Sequence, residues 1–210
     1  MQPLTRRARS RALPTRRGRF LPLVCTLNAA KVTDAVGRLL GASREELAAL
    51  ALDAAPGAGG VVLVPYFDGE RTPNRPDATG TLAGLRSDLT REQVARAGFE
   101  GVVCGLLDAK DALDAVGVDT SGGRLFLVGG GARSTAYSTI LADLAERPVT
   151  VLDDADHVAT GACVQAAAVV TGSDPADIAT AWSLGGGETV EPDPHVDSGA
   201  VRAAYRHAAR

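Results

Sequence analysis

Cysteine is scarce and scattered. Cys25, Cys104 and Cys163 are odd in number, widely separated and form no Cys-x-x-Cys pair, so neither a disulfide framework nor a zinc site is indicated. Cys104 and Cys163 lie in small-residue, helix-like runs, where a reduced cysteine serves as a small hydrophobe; a cytoplasmic location is expected. His157, His195 and His207 have no metal-ligand spacing among themselves, and no metal site is expected from side chains alone. Long apolar runs are also missing. The longest, residues 60–67 and 125–128, fall far short of the roughly 20 residues needed to cross a bilayer, which excludes a transmembrane helix and a membrane partner.

Basic residues are rare outside the first turn of the chain. Residues 1–19 hold seven arginines (Arg6, Arg7, Arg9, Arg11, Arg16, Arg17 and Arg19) and no acid, which leaves 15 basic against all 25 acidic residues in the remainder. A body this acidic argues against a nucleic-acid partner, because phosphate backbones need a basic footprint. The arginine segment has neither the apolar run nor the amphipathic period of a targeting signal, so residues 1–18 are expected to be an unstructured or spurious N-terminus.

The rest is apolar enough to fold, with 45% hydrophobic and 22% charged residues in 210. Ser43-Arg44-Glu45-Glu46 is a capping box that opens a helix to about residue 52, and Thr90-Arg91-Glu92-Gln93 opens a second one to about residue 116. Gly101 and Gly105 sit on the inner face of that second helix at roughly 1 kcal/mol each relative to alanine, so something must pack closely against it. Residues 61–67 read as a buried strand, and residues 68–88 as a long loop with a short strand near 81–85. Residues 125–128 read as a strand, 134–146 as a helix, 149–152 as a strand and 156–171 as a helix. Residues 175–197 read as loop with a turn of helix near 178–182, and a terminal helix is expected from Ala200. This rhythm is that of a layered α/β domain.

The most suggestive feature is the strand that enters Gly129-Gly130-Gly131-Ala132-Arg133-Ser134 and leaves as a helix. Consecutive glycines let a ligand approach the backbone, and a helix N-terminus offers amides and partial positive charge to a phosphate. A Gly-x-Gly-x-x-Gly pattern fails at Ser134, and no Gly-Lys-Ser/Thr occurs. Taken alone, the turn fits a nucleotide site and a plain strand-to-helix connection equally well.

Two segments together resemble the FGGY carbohydrate kinases, of the xylulokinase type. One is Gly69-Glu70-Arg71-Thr72-Pro73 and the proline-containing loop through Gly80; the other is Val128-Gly129-Gly130-Gly131-Ala132-Arg133-Ser134 with Ile140-Leu141-Ala142-Asp143 and Arg147-Pro148-Val149. The similarity runs from about Arg19 to Arg210. It implies the C-terminal, actin-like (ribonuclease H-like) ATPase domain of such a kinase, a layered sheet with flanking helices over residues 19–188, followed by a C-terminal loop and helix over 189–210.

By the same resemblance, Gly129, Gly130, Gly131, Ala132 and Ser134 are the nucleotide-binding positions, for ATP or ADP with Mg2+ carried on the phosphates. Glu70 and Arg71 lie on a loop near the interdomain cleft, where an ordering salt bridge is as good a reading as substrate contact. Gly98 replaces a slightly larger family residue, a change expected to touch packing. The implied substrate is D-xylulose. The family's catalytic aspartate belongs to a first domain; Asp68, Asp77 and Asp108 stand in no such motif, so no catalytic residue is assigned. The chain is therefore expected to be a partial kinase inactive alone, with an ADP/ATP-binding module or half of a split kinase for another pentulose or polyol as alternatives. The surface that would face a first domain carries the expectation of association with it, or of homodimerisation.

Overall fold

The computed structural model of the chain describes residues 11–14, 20–152 and 156–210. Strand β1 (Arg11–Pro14) pairs antiparallel with β2 (Phe20–Leu23), with residue 13 opposite 21. The rest of the arginine-rich segment lies outside the described residues, and with it most of the expectation placed on residues 1–18.

Helix α1 (Ala30–Leu40) buries Val32 and Val36 on one face and stops at Gly41, a left-handed residue whose N–H returns to the Arg38 carbonyl. Its apolar spacing and closing glycine are the local helix signals. Helix α2 (Arg44–Asp53) begins with the expected capping box: Ser43 Oγ accepts from the Glu46 N–H at 3.2 Å, and Glu46 Oε2 accepts from the Ser43 N–H at 2.8 Å. Such a cap contributes about 1 kcal/mol.

Strand β3 (Val62–Val64) pairs antiparallel with β4 (Thr81–Ala83). β3 is shorter than the expected 61–67 because Pro65 has no N–H to give a ladder and its carbonyl turns back to the Phe67 N–H. The loop between the strands is ordered by its own backbone pairs, Glu70 with Arg75 and Gly69 N–H to Ala78.

Helix α3 (Arg91–Asp114) opens with the second predicted capping box and runs through the centre, with α1, α2 and β3 packed around it. It buries Val94, Phe99, Val102, Val103, Cys104 and Leu107. The inner glycines explain how: a Cβ on Gly101 would collide with the Leu63 carbonyl oxygen, so the β3 backbone rides directly on the helix. At Gly98 a Cβ would stand 3.3 Å from Val36 Cγ2, so this is a close packing position between α1 and α3.

Strand β5 (Leu125–Leu127), helix α4 (Thr135–Ala145) and strand β6 (Val149–Leu152) form a β-α-β unit with β5 and β6 parallel. Helices α5 (His157–Thr171) and α6 (Pro175–Ala181) follow, and β7 (Gly187–Val190) then adds antiparallel to β6. The sequence reads as loop over residues 187–190, and the structure makes them a strand. Gly187 makes the strand possible, since a Cβ there would strike the Val151 carbonyl.

Helix α7 (Ser198–Ala208) folds back on β3, α3 and α4. Its Tyr205 is 2% exposed, and Arg202 and Arg206 both clasp Asp108 and Asp111 of α3. Burial pushes the Cys104 thiol up to about 12, which makes it an inert core group. Cys163, by contrast, is exposed on α5 and is no core hydrophobe. Among the described residues no helix is long and apolar enough to cross a membrane.

Candidate functional site

The glycine turn forms one wall of a cleft of about 460 Å³. Gly129 has φ +91, a conformation that L side chains rarely adopt, and residues 130–133 close into a 3-10 turn with the Ala132 N–H on the Gly129 carbonyl. A Cβ on Gly129 or Gly130 would meet nothing within 4 Å, so the space in front of the turn is open. Ala132 is buried behind it.

Ser134 occupies the N-cap position of α4 without capping it through its side chain, and its buried Oγ has no hydrogen-bond partner among the described residues. An unpaired buried hydroxyl costs about 1–3 kcal/mol unless a ligand or water meets it. Together these features place an uncapped helix N-terminus and an unused hydroxyl beside Cβ-free space, an arrangement suited to an anionic, polar ligand.

The opposite wall is α1 and the start of α2, with Thr33, Asp34 and Arg38 spaced along one helix face. The floor is Phe99 and Leu47. Phe99 meets the Tyr137 ring edge-on, with centroids 4.7 Å apart. Thr33 Oγ1 donates to the Ala30 carbonyl at 2.9 Å, so the 3.1 Å contact between the two hydroxyls has Tyr137 as donor and Thr33 as acceptor. Burial pushes the Tyr137 phenol up to about 12, and the Thr33 contact only partly offsets it, so it remains a donor. At the rim Arg44 grips Asp34 in a fork, Nε to Oδ1 at 2.8 Å and Nη2 to Oδ2 at 3.0 Å. That pairing holds the Asp34 carboxyl below its ordinary range.

Of the residues expected at the site, Gly130, Gly131 and Ser134 line this cleft. Glu70 and Arg71 do not. Glu70 is 3% exposed and acts as an internal tether: Oε1 accepts from the Leu27 and Arg71 N–H groups, both at 2.7 Å, and Oε2 accepts from Asn28 Nδ2 at 3.0 Å. Arg71 gives that tether its backbone N–H while the residue itself is exposed. Sequence reasoning missed the α1 wall, Phe99 and Tyr137, since a cleft assembled from residues about 100 positions apart leaves no local pattern. Among the described residues no three His, Cys, Asp or Glu side chains gather as metal ligands do.

A layered α/β domain with a glycine turn at the mouth of a helix-lined cleft is the architecture of the sugar-kinase ATPases. The model of the FGGY family of carbohydrate kinases, C-terminal domain, matches residues 22–170, and the chain belongs to this family. It is 44% identical over 175 residues to the xylulose kinase of Streptomyces rubiginosus, covering 83% of this chain and 34% of that protein. The Haemophilus influenzae xylulose kinase is 35% identical over 148 residues, 70% of this chain and 30% of its own length. Among solved structures, xylulose kinase from Bifidobacterium adolescentis superposes with a TM-score of 0.79 at 41% identity, covering 96% of this chain and 38% of that one. The chain thus spans about a third of the length of the curated relatives it matches.

Proposed function

We propose that the cleft is the nucleotide site of an ATP-dependent sugar kinase, and that the chain is the nucleotide-binding part of an enzyme converting D-xylulose to D-xylulose 5-phosphate. The observation that carries this reading is the open space before Gly129 and Gly130 beside the uncapped start of α4, where phosphates can approach the backbone. The base and ribose then lie along the cleft between Ser134 and α1. Mg2+ would arrive with the nucleotide and supply charge neutralisation, while this chain's own part is the Gly129–Gly130 backbone and the start of α4 that receive the phosphates. Relatives named xylulose kinases support the sugar assignment, and the setting of such an enzyme is the cytoplasm.

Transfer also needs a base for the attacking sugar hydroxyl. Among the described residues Asp34 is the one carboxylate lining the cleft, and its pairing with Arg44 holds its pKa low and so makes it a weak proton acceptor. The base is therefore supplied from elsewhere in a complete kinase, and this chain alone binds nucleotide without turnover. Helix α5 fits that arrangement: it carries no Asp, Glu, Lys or Arg, and Val158 and Val170 are 86% and 85% exposed. An uncharged, uncovered helix suits contact with another part of a kinase, with a second copy of the chain as the alternative. The second functional reading, a non-catalytic ADP/ATP-binding module or half of a split kinase for another pentulose or polyol, rests on the same surface.

Calorimetry with ADP and Mg2+ on the 210-residue chain, paired with a coupled D-xylulose phosphorylation assay, tests the proposal. ADP binding that is lost in Gly130→Val without loss of the unfolding transition supports it. Absence of ADP binding refutes the nucleotide site, and turnover by the chain alone refutes the need for an external base.

A further inference from the structure

The polar atoms of the cleft are unequally committed. Thr33 is used on both sides, donating to Ala30 and accepting from Tyr137. Ser43 Oγ is taken by the α2 cap. Ser134 Oγ is unpaired and can donate or accept. Asp34 differs from all of these: a carboxylate has about four acceptor sites, and the Arg44 fork fills one on each oxygen. The fork also fixes the carboxylate plane, so the two remaining acceptor sites have a defined direction. The pairing with Arg44 keeps the group ionised and therefore acceptor-only.

We infer that Asp34, oriented by Arg44, reads the edge of the bound nucleoside and selects a base that presents an exocyclic amino group there, adenine, over one that presents a carbonyl oxygen. The inference rests on the cleft being a nucleotide site. A 6-amino group donates to the free carboxylate acceptors, whereas a 6-oxo group would set oxygen against a carboxylate that has no proton to offer. Arg44 is then a positioning residue, acting through Asp34. Arg38, one turn along α1 on the same wall, is the group that would favour the opposite outcome, because a guanidinium donates to a 6-oxo oxygen.

The test compares ADP with inosine diphosphate by calorimetry in the presence of Mg2+, since the two differ only at the 6-position and at N1, which carries a proton in inosine and can itself donate to a carboxylate. A hydrogen bond to a charged acceptor predicts that the unaltered chain binds ADP about tenfold to a hundredfold more tightly. Asp34→Asn, whose amide can donate as well as accept, should bring the two nucleotides close to parity. The Asp34–Arg44 pair is partly solvent-exposed, so this variant should keep its unfolding transition. The comparison on the unaltered chain does not depend on it. Equal binding of the two nucleotides, preference for inosine diphosphate, or a preference for ADP unchanged in Asp34→Asn overturns the role of Asp34 and leaves the nucleotide site standing. Binding of neither nucleotide overturns both.

Discussion

Arg96 and Glu100 form an ion pair one turn apart inside α3, Nε to Oε1 at 2.7 Å, with the two residues only 3% and 4% exposed. Glu100 Oε1 also accepts from the Gly57 N–H at 2.9 Å, so the pair fastens the turn after α2 to the central helix. Removing one partner strands the other charge in the core. Arg96→Ala should cost about 3–5 kcal/mol in urea unfolding.

Burial raises the Glu100 pKa against the lowering pull of Arg96. A folded pKa above the unfolded one means a contribution fully present below the unfolded carboxylate range and lost as pH rises through the folded value. Glu100→Gln should therefore lose less stability than the wild type between acid and neutral pH. Melting temperatures measured across that range check the sign, and equal slopes for the two proteins would refute it.

Gly101 and Gly105 separate two reasons for a glycine in a helix. At Gly101 a Cβ would drive into the Leu63 carbonyl of β3, while at Gly105 the nearest foreign atom is the Tyr205 hydroxyl at 3.5 Å, an ordinary contact. Gly101→Ala is expected to destabilise by about 1–3 kcal/mol through overpacking. Gly105→Ala should instead gain up to about 1 kcal/mol from helix propensity. Chemical denaturation of both variants distinguishes close packing at one position from a general need for glycine on this face.

The same contrast shows what the residues disclose on their own. Capping boxes at Ser43 and Thr90 were legible because their chemistry is local, a side chain and a backbone three positions apart. The glycine turn was legible for the same reason. Its partner wall was not: Asp34 meets Ser134 across the cleft only because α1 and α4 both pack on α3. Strand β7 was obscured by Gly185, Gly186 and Gly187, which read as loop until the Val151 carbonyl shows why a side chain has no room there. Glu70 has backbone amides and Asn28 as partners rather than a cation, which spacing does not reveal.

Asp114 ties down the turn that leaves α3. Its Oδ1 accepts from the Thr120 N–H at 3.0 Å and from Thr120 Oγ1 at 2.6 Å, and its Oδ2 accepts from Lys110 at 2.9 Å. The Thr120 hydroxyl contributes most to lowering the Asp114 pKa to about 2. A depressed folded pKa gives a contribution present above the unfolded carboxylate value and lost as pH falls through the folded one. Protection of the Thr120 amide relative to its intrinsic exchange should therefore fall between about pH 4 and pH 2, and Asp114→Asn should abolish that step. An amide whose protection is the same at both ends of the window would show that the turn does not depend on this carboxylate.

Tyr205 carries the docking of α7. The ring is 2% exposed against the core, while its hydroxyl makes no hydrogen bond of ordinary geometry; burial pushes its pKa upward. Truncation and removal of the hydroxyl should then separate cleanly. Tyr205→Ala leaves a cavity beside Gly101 and Cys104 and should cost about 3–5 kcal/mol. Tyr205→Phe keeps the packing, discards a hydroxyl that has no well-formed hydrogen bond among the described residues, and should fall within about 1 kcal/mol of the wild type. The ion pairs of Arg202 and Arg206 with Asp108 and Asp111 sit at the rim of the same contact; being partly exposed, each adds only about 0–1 kcal/mol. Raising the salt concentration should thus move the melting temperature far less than Tyr205→Ala does. A salt effect of comparable size would make charge, rather than the buried ring, the element that holds α7 in place.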